Sequence, residues 1–369
     1  MTPRQRVLAA VNHTPPDRVP VNYLGTPEID QRLRRRLQLP DPPASAPGYM
    51  VDYDWDIVER LGVDLRTLRL RYTGPPLPTF DDGRLQNYWG VIYKPVRNEV
   101  GTYMESQYLP YAGFETMADL ERYPWPDPGW FAYDELAGQC RQLGGCAVVY
   151  GWPGNMDLIN GTAFGRGFEQ TLFDLATENP VGLGIIEKRF EFHLEQTRRA
   201  LLACQGRIDI VWIGDDYGTQ RGLLLRPEKW RKLFKSKLRA FADLAHRHGA
   251  KLMLHSCGST RAIWPDLIDI GLDIYDTIQP EAAGMAPEEL AAEFGKHICL
   301  HGAISTQRLM PFATPAEIER VVRSRIESIG AQGGLILAPS HNFQPDTPVD
   351  NILAMYRAAG SLAAEIAPA

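Results

Sequence analysis

Eight histidines and five cysteines are scattered over 369 residues, and Cys257 is the cysteine that stands in a polar run beside a potential ligand: His255-Ser256-Cys257-Gly258, directly after the apolar stretch KLML. On extended backbone, residues i and i+2 point to the same side, so the imidazole and the thiol can converge on one ion while Gly258 lets the chain turn. Nitrogen and sulfur donors suit zinc, and an enzymatic zinc site uses three protein ligands with one position left open. The same pair also reads as a buried histidine bonded to backbone beside an inert thiol, so a third ligand is needed. His341, in LILAPSHNFQPDTP, ends another apolar run and completes a His, Cys, His set for Zn2+. Its alternative is substrate hydrogen bonding or general acid work, since imidazole titrates near neutrality.

Asp215, Asp216 and Tyr217 follow the apolar run IDIVWIG and form the candidate catalytic group. Adjacent carboxylates on an extended segment point to opposite sides, so one is expected to face the site and the other to be tied to backbone amides or an arginine. The first would orient a substrate or take a proton; the bland alternative is a pair of loop-closing or helix-capping carboxylates. Tyr150, Trp152, Gln279 and His301 also end apolar runs and are candidate substrate-binding residues, each equally well a satisfied structural group. Trp152 and its aromatic neighbours suit a flat or apolar ligand, or ordinary packing.

These residues need a frame that delivers them to one place. Six short apolar, β-rich runs (146–151, 209–216, 251–258, 272–279, 297–303 and 335–341) alternate with helical patterns, and two earlier runs (19–25 and 63–70) bring the count to eight. That is the pattern of a (β/α)8 TIM-type barrel, in which the working residues lie at the carboxyl ends of the strands. One barrel domain over residues 1–369 is expected, with an N-terminal helical extension. The surplus length falls in residues 72–130, whose Pro, Gly and aromatic residues read as a small antiparallel β insertion over the barrel mouth. GTAFGRG (161–167) lacks the Lys-Ser/Thr ending of a phosphate loop.

Composition removes other classes. A surplus of acids, 45 Asp+Glu against 39 Lys+Arg, argues against a nucleic-acid partner. No run approaches the ~18 apolar residues of a membrane span, and the opening MTPRQRVLAAVNH lacks a signal peptide's apolar core, so a cytoplasmic location is expected. Five cysteines are too sparse for a disulfide scaffold and fit a reducing compartment.

With these motifs in place, the chain resembles the uroporphyrinogen decarboxylase superfamily. The matching segments are TPRQRVLAAVNHTPPDRVP, ERYPWPDP, LRPEKW, HRHGAKLMLHSCG, LIDIGLDIYDTIQP and LAPSHNFQPDTPVDNILAM. The resemblance implies an (α/β)8 barrel. In the decarboxylases DRVPV leads into an arginine-rich segment that binds substrate carboxylates; here it continues as Asn22-Tyr23-Leu24-Gly25-Thr26-Pro27-Glu28, without arginine. The chain is more similar to the cobalamin-dependent methyltransferases, which carry a His-x-Cys zinc pair and a later Cys in Ala-Pro-Gly-Cys. His255 and Cys257 match the pair, while Ala338-Pro339-Ser340-His341 puts His341 at the last ligand position. This branch implies Zn2+, a small thiol or methoxy substrate, and methylcobalamin on a corrinoid partner protein, because the chain shows no second domain large enough to carry it. A metal-free carboxy-lyase and a non-catalytic tetrapyrrole- or corrinoid-binding barrel are the alternatives.

Overall fold

The computed structural model describes residues 1–40, 54–99, 101–154 and 156–362. Strand β1 (Leu65–Thr67) is followed by a separate antiparallel sheet of β2 (Leu85–Gln86), β3 (Ile92–Arg97) and β4 (Thr102–Tyr108). The chain then returns for β5 (Ala147–Tyr150), β6 (Ile210–Gly214), β7 (Lys251–His255), β8 (Ile274–Ile278), β9 (Cys299–Ile304) and β10 (Leu335–Pro339). β1 and β5 to β10 form one curled parallel sheet in sequence order, with helices between successive strands. The fold is mixed α/β and TIM-like, as the alternation of runs implies.

Seven of the eight expected strands are regular. The eighth run, 19–25, is extended chain that touches both edges of the sheet: the Asn22 amide donates to the Leu337 carbonyl (3.0 Å), Leu337 to Pro20 (2.9 Å), and Asp64 to Val21 (3.1 Å). Pro20 has no N–H to offer, which keeps this pairing short. Residues 20–22 thereby bridge β10 to the start of β1 and close the ring.

Strand alternation divides the apolar residues into two cores. Ala147, Val149, Ile210, Trp212, Met253, Ile274, Cys299 and Ile336 point inward and pack with Val7 and Val11. Val148, Tyr150, Val211, Ile213, Leu252, Leu254, Leu300 and Leu337 point outward, under the helices. Val7 and Val11 belong to the helix Pro3–Val11, which Thr2 and Gln5 start as a reciprocal capping box. Arg4 donates to Gly145 and Gly334 to Ala10, so this helix sits on the amino ends of β5 and β10 and leaves the carboxyl ends as the open face. The helix that starts at Pro227 runs to Arg247 with one wide turn at Arg231–Lys235, and Gly249 follows it at φ +74°.

The antiparallel sheet occupies the expected insertion. Thr102 donates to Glu28 (3.1 Å), Tyr103 to Gln344, and Tyr111 to Gly165 (2.7 Å), so the insertion contacts segments that follow the carboxyl ends of three strands. Among the described residues no helix is long and apolar enough to cross a membrane.

Closure of the ring depends on Asp64, whose side chain is fully buried. Its carboxylate accepts from the Val21 amide (2.9 Å), Arg18 (2.8 Å) and Arg6 (2.6 Å), tying the closing segment, the start of β1 and the N-terminal helix together. Asp64→Ala strands two guanidinium groups at the buried end of the barrel. We expect it to lower unfolding free energy by about 3 kcal/mol, the usual cost of breaking a buried pair, in urea denaturation; a loss below about 1 kcal/mol would show that closure lies elsewhere.

Candidate metal centre at the barrel mouth

Register builds the site. Gly214 pairs with His255, His255 with Asp276, and Asp276 with His301, so one row across β6, β7, β8 and β9 carries three polar side chains on the inward face. Neighbouring strands lie about 4.8 Å apart, within direct hydrogen-bonding reach for side chains in one row. Below this row the inward residues are apolar: Trp212, Met253, Ile274 and Cys299.

Asp276 is fully buried and bonds both neighbours, Oδ2 to His255 Nδ1 and Oδ1 to His301 Nδ1, each at 2.6 Å. On its far side His301 Nε2 lies 3.1 Å from Asn22 Nδ2. The Tyr23 amide donates to Asn22 Oδ1 (2.9 Å), which fixes the Asn22 amide with its NH2 toward His301. His301 Nε2 therefore faces the Asn22 NH2, and its Nδ1–H donates to Asp276. Asp276 receives a second proton donor in the Nδ1–H of His255, so His255 Nε2 points away, toward Cys257 Sγ (3.6 Å) and Asp216 Oδ1 (3.7 Å).

One nitrogen, one sulfur and one oxygen are thus brought within 4.8 Å of one another: His255, Cys257 and Asp216. Asp216 is held by the Cys257 amide at Oδ1 (2.7 Å) and by Asn160 Nδ2 at Oδ2 (2.9 Å). Burial opposes ionisation of Asp216, but His255 and these donors outweigh it and hold the carboxyl below its ordinary value. Burial likewise opposes the charged form of His255, yet Asp276 and Cys257 raise the imidazole well above its usual range. The Cys257 thiol is pushed up by burial, with His255 pulling the other way. For Asp276 itself, burial is overcome by His301 and His255, which hold it well below the usual carboxylate range.

A histidine whose Nδ1–H is fixed by a carboxylate and whose Nε2 faces a thiol and a second carboxylate has the form of a metal ligand with its outer support in place. The donor set fits zinc, which takes N, S and O ligands.

The other expected site residues fall on different layers. His341 lies at the mouth, exposed to solvent but within electrostatic reach of His255 and Asp216; it is outside the three-residue cluster, and the third ligand atom there belongs to Asp216. Asp215 points away from the lumen and accepts three backbone amides, from Leu158 (3.1 Å), Ile159 (2.7 Å) and Asn160 (3.1 Å), at the start of the helix Ile159–Arg166. It is the backbone-tied member of the pair. Tyr217 is buried against Trp230 and Phe234 in the outer core, and Tyr150 lies in the same core, so neither ring faces the mouth. Gln279 accepts from the Gly258 amide (2.9 Å) and holds the turn after Cys257. His301 is fully buried behind Asp276 and positions rather than contacts a ligand. Trp152 is half-buried and packs on Trp212 (5.4 Å between ring centres), which in turn meets His301 (5.8 Å).

Four contributors lie beyond the strand-end residues singled out in the sequence: Asp276, Asn22, Asn160 and Asp157. Asp157 fills the gap in the row that Gly214 leaves, where a Cβ would stand 2.2 Å from its Oδ1. Burial pushes the Asp157 carboxyl up to about 6, against the pull of the Gly154 amide. The signal for Asp276 and Asp157 is an acid inside an apolar run, DIYDTI and NMDLI, since such residues stay buried only where partners wait for them.

A curled α/β sheet with an N, S, O cluster at the carboxyl ends of its strands defines a TIM-like protein whose open end gathers residues that could hold a metal ion. Residues 193–362, which include β6 to β10 and so His255, Cys257, Asp276 and His301, match the family model of uroporphyrinogen decarboxylase (URO-D). Among solved structures, a methyltransferase from Methanosarcina mazei has the same fold, with a TM-score of 0.69 at 17% identity over 98% of each chain. A sequence comparison with curated proteins gives no match.

Asp276→Asn keeps the shape of the row but removes the charge that holds both imidazoles. We expect zinc affinity to fall about 10- to 100-fold, the range for outer supports of metal histidines, as read by competition with a chromophoric chelator; unchanged affinity would remove Asp276 from the centre.

Proposed function

We propose that the chain is a zinc-dependent methyltransferase that moves a methyl group between a corrinoid, methylcobalamin on a partner protein, and a small thiol or methoxy substrate. The observation that carries this reading is the convergence of Asp216, His255 and Cys257 at the open end of the barrel. The match of residues 193–362 to the URO-D family model and the fold shared with a protein named as a methyltransferase support the class.

Asp216, His255 and Cys257 would hold Zn2+, with His341 beside them at the mouth. The ion when bound supplies Lewis acidity, polarising the thiol or ether of the substrate. The rest is the work of this chain's side chains. Asp276 keeps Nε2 of His255 aimed into the cluster, and Asn160 keeps Asp216 turned toward it. Trp152, which follows β5 and packs on Trp212, would wall one side of the mouth. Partial desolvation of its ring at the mouth and the neighbouring His255 lower the His341 pKa, which favours an uncharged imidazole able to exchange a proton with a ligand atom. Decarboxylation of a substrate with many carboxylates finds less support: the stretch after Val21 gives Asn22 to His301 instead of arginines to a ligand.

Protein purified without chelator should contain about one zinc per chain, and Cys257→Ala or Asp216→Ala should sharply reduce it. Zinc must displace the Cys257 proton, so affinity should fall as the pH is lowered. Zinc-loaded protein should also change the absorption spectrum of methylcobalamin when a thiol is added, and His255→Ala should abolish the change. Absence of transition metal from protein grown with ample zinc would overturn the reading.

A further inference from the structure

We infer that Cys140 and Cys204 are a modification site: a thiol pair that a hydroperoxide closes to a disulfide within the folded chain and that a dithiol reopens. The inference stands apart from the metal centre and from methyl transfer, because the pair lies in the outer core, between the sheet and its helices.

Cys140 belongs to the helix Asp134–Gln142, and Cys204 is the last residue of the helix Pro180–Cys204. Both are buried in the same core as Leu136, Leu143, Leu201 and Ile208. Their sulfurs stand 3.5 Å apart, so a disulfide of about 2.0 Å needs an approach of roughly 1.5 Å, a shift on the scale of side-chain rotation. A separation of 64 residues hides the pair in the sequence. Among the described residues, Cys146, Cys257 and Cys299 have no second sulfur beside them.

Two features suit the pair to reaction and not only to packing. Both cysteines sit at helix ends beside exposed chain: Arg141 and Gln142 follow Cys140, and Gln205, Gly206 and Arg207 follow Cys204. Helix ends fray at low cost, which gives a small oxidant a way in. Cys140 is also the less buried sulfur, 6% exposed against 1% for Cys204. The second feature is the inequality of the two thiols. The neighbouring Cys204 thiol holds the Cys140 pKa below its ordinary value against burial and Asp209, with Arg207 helping, while Cys140 and burial raise that of Cys204. Cys140 is therefore the attacking sulfur and Cys204 the resolving one.

The Cys140 thiolate attacks one oxygen of the hydroperoxide. An S–O bond forms, the O–O bond breaks, and the departing oxygen takes a proton from solvent, leaving a sulfenic acid on Cys140. The Cys204 sulfur then attacks the Cys140 sulfur. The S–S bond forms, the S–O bond breaks, and the hydroxide leaves as water with the proton of Cys204. Two electrons pass from the sulfurs to the peroxide, and a dithiol returns them by exchange, becoming a disulfide itself. The bond closes a loop over 140–204, which holds β5 and the helices Ile159–Arg166, Phe168–Thr177 and Pro180–Cys204, and so restricts the unfolded chain.

Peptide mapping tests the inference. The zinc-loaded full chain, treated with hydrogen peroxide, blocked with N-ethylmaleimide and digested with trypsin, should yield peptide 123–141 joined to peptide 200–207, each of which holds one cysteine. Dithiothreitol should separate them, and the joined protein should have a higher urea midpoint than the reduced one. In Cys204→Ser the oxidation should stop at a Cys140 sulfenic acid that dimedone traps; in Cys140→Ser, the second variant in case the first does not fold, no linkage to peptide 200–207 should form. Recovery of both peptides unjoined, joining of either to the Cys146 or Cys257 peptide instead, joining only in urea that unfolds the chain, or a midpoint no higher than that of the reduced protein overturns the inference.

Discussion

A carboxylate buried between two imidazoles is the constraint around which this barrel is organised. Asp276 sits where water cannot solvate it, and a lone carboxylate there would cost several kcal/mol. Two hydrogen bonds of 2.6 Å, one from each neighbouring strand, offset that cost. Because His255, Asp276 and His301 are paired in register, a slip of β8 by one residue would turn Asp276 into the outer core and leave both histidines without their partner. The polar row therefore fixes strand register as firmly as the apolar rows beneath it, and the geometry of the centre and the alignment of the sheet are one requirement.

The same row explains the direction of the site. His301 cannot release its proton toward the mouth, since its Nε2 faces the Asn22 NH2 and its Nδ1–H is committed to Asp276. That leaves His255 as the end of the chain of bonds facing the open end, with its Nε2 pointing at Cys257 and Asp216. Asn22 stands on the closing segment, 279 residues from His301 in sequence, so ring closure and the tautomer of the innermost histidine are coupled.

Much of this was legible in the residues. Repeated apolar runs implied the parallel sheet, and the i, i+2 spacing of His255 and Cys257 implied a shared direction that the structure displays. The opposite facing of Asp215 and Asp216 was also implied, and carrying the alternation forward from inward Trp212 through Gly214 assigns Asp216 to the lumen and Asp215 to the backbone amides. Extending that parity would have moved Tyr150 to the outer core with Val148. Asp276 carries no strand-end signal: the polar residue that ends its run is Gln279, and the acid lies three positions earlier, where only partners on two other strands make it tenable. Asn22 and Asn160 left no local signal, since each matters through a contact made by folding.

His341 marks the boundary between what motif position and what geometry decide. Its place in Ala338-Pro339-Ser340-His341 resembles a ligand position, yet β10 ends beside β9 and the closing segment, two strands removed from β7, while Asp216 follows β6, which pairs directly with β7. Distance around the ring thus favours Asp216 as the oxygen donor that completes the cluster with His255 and Cys257, and leaves the His341 imidazole facing solvent at the mouth. Asp216 thus sets a carboxylate beside the His255–Cys257 pair, while His341 stands outside the three-residue cluster, within electrostatic reach of both His255 and Asp216.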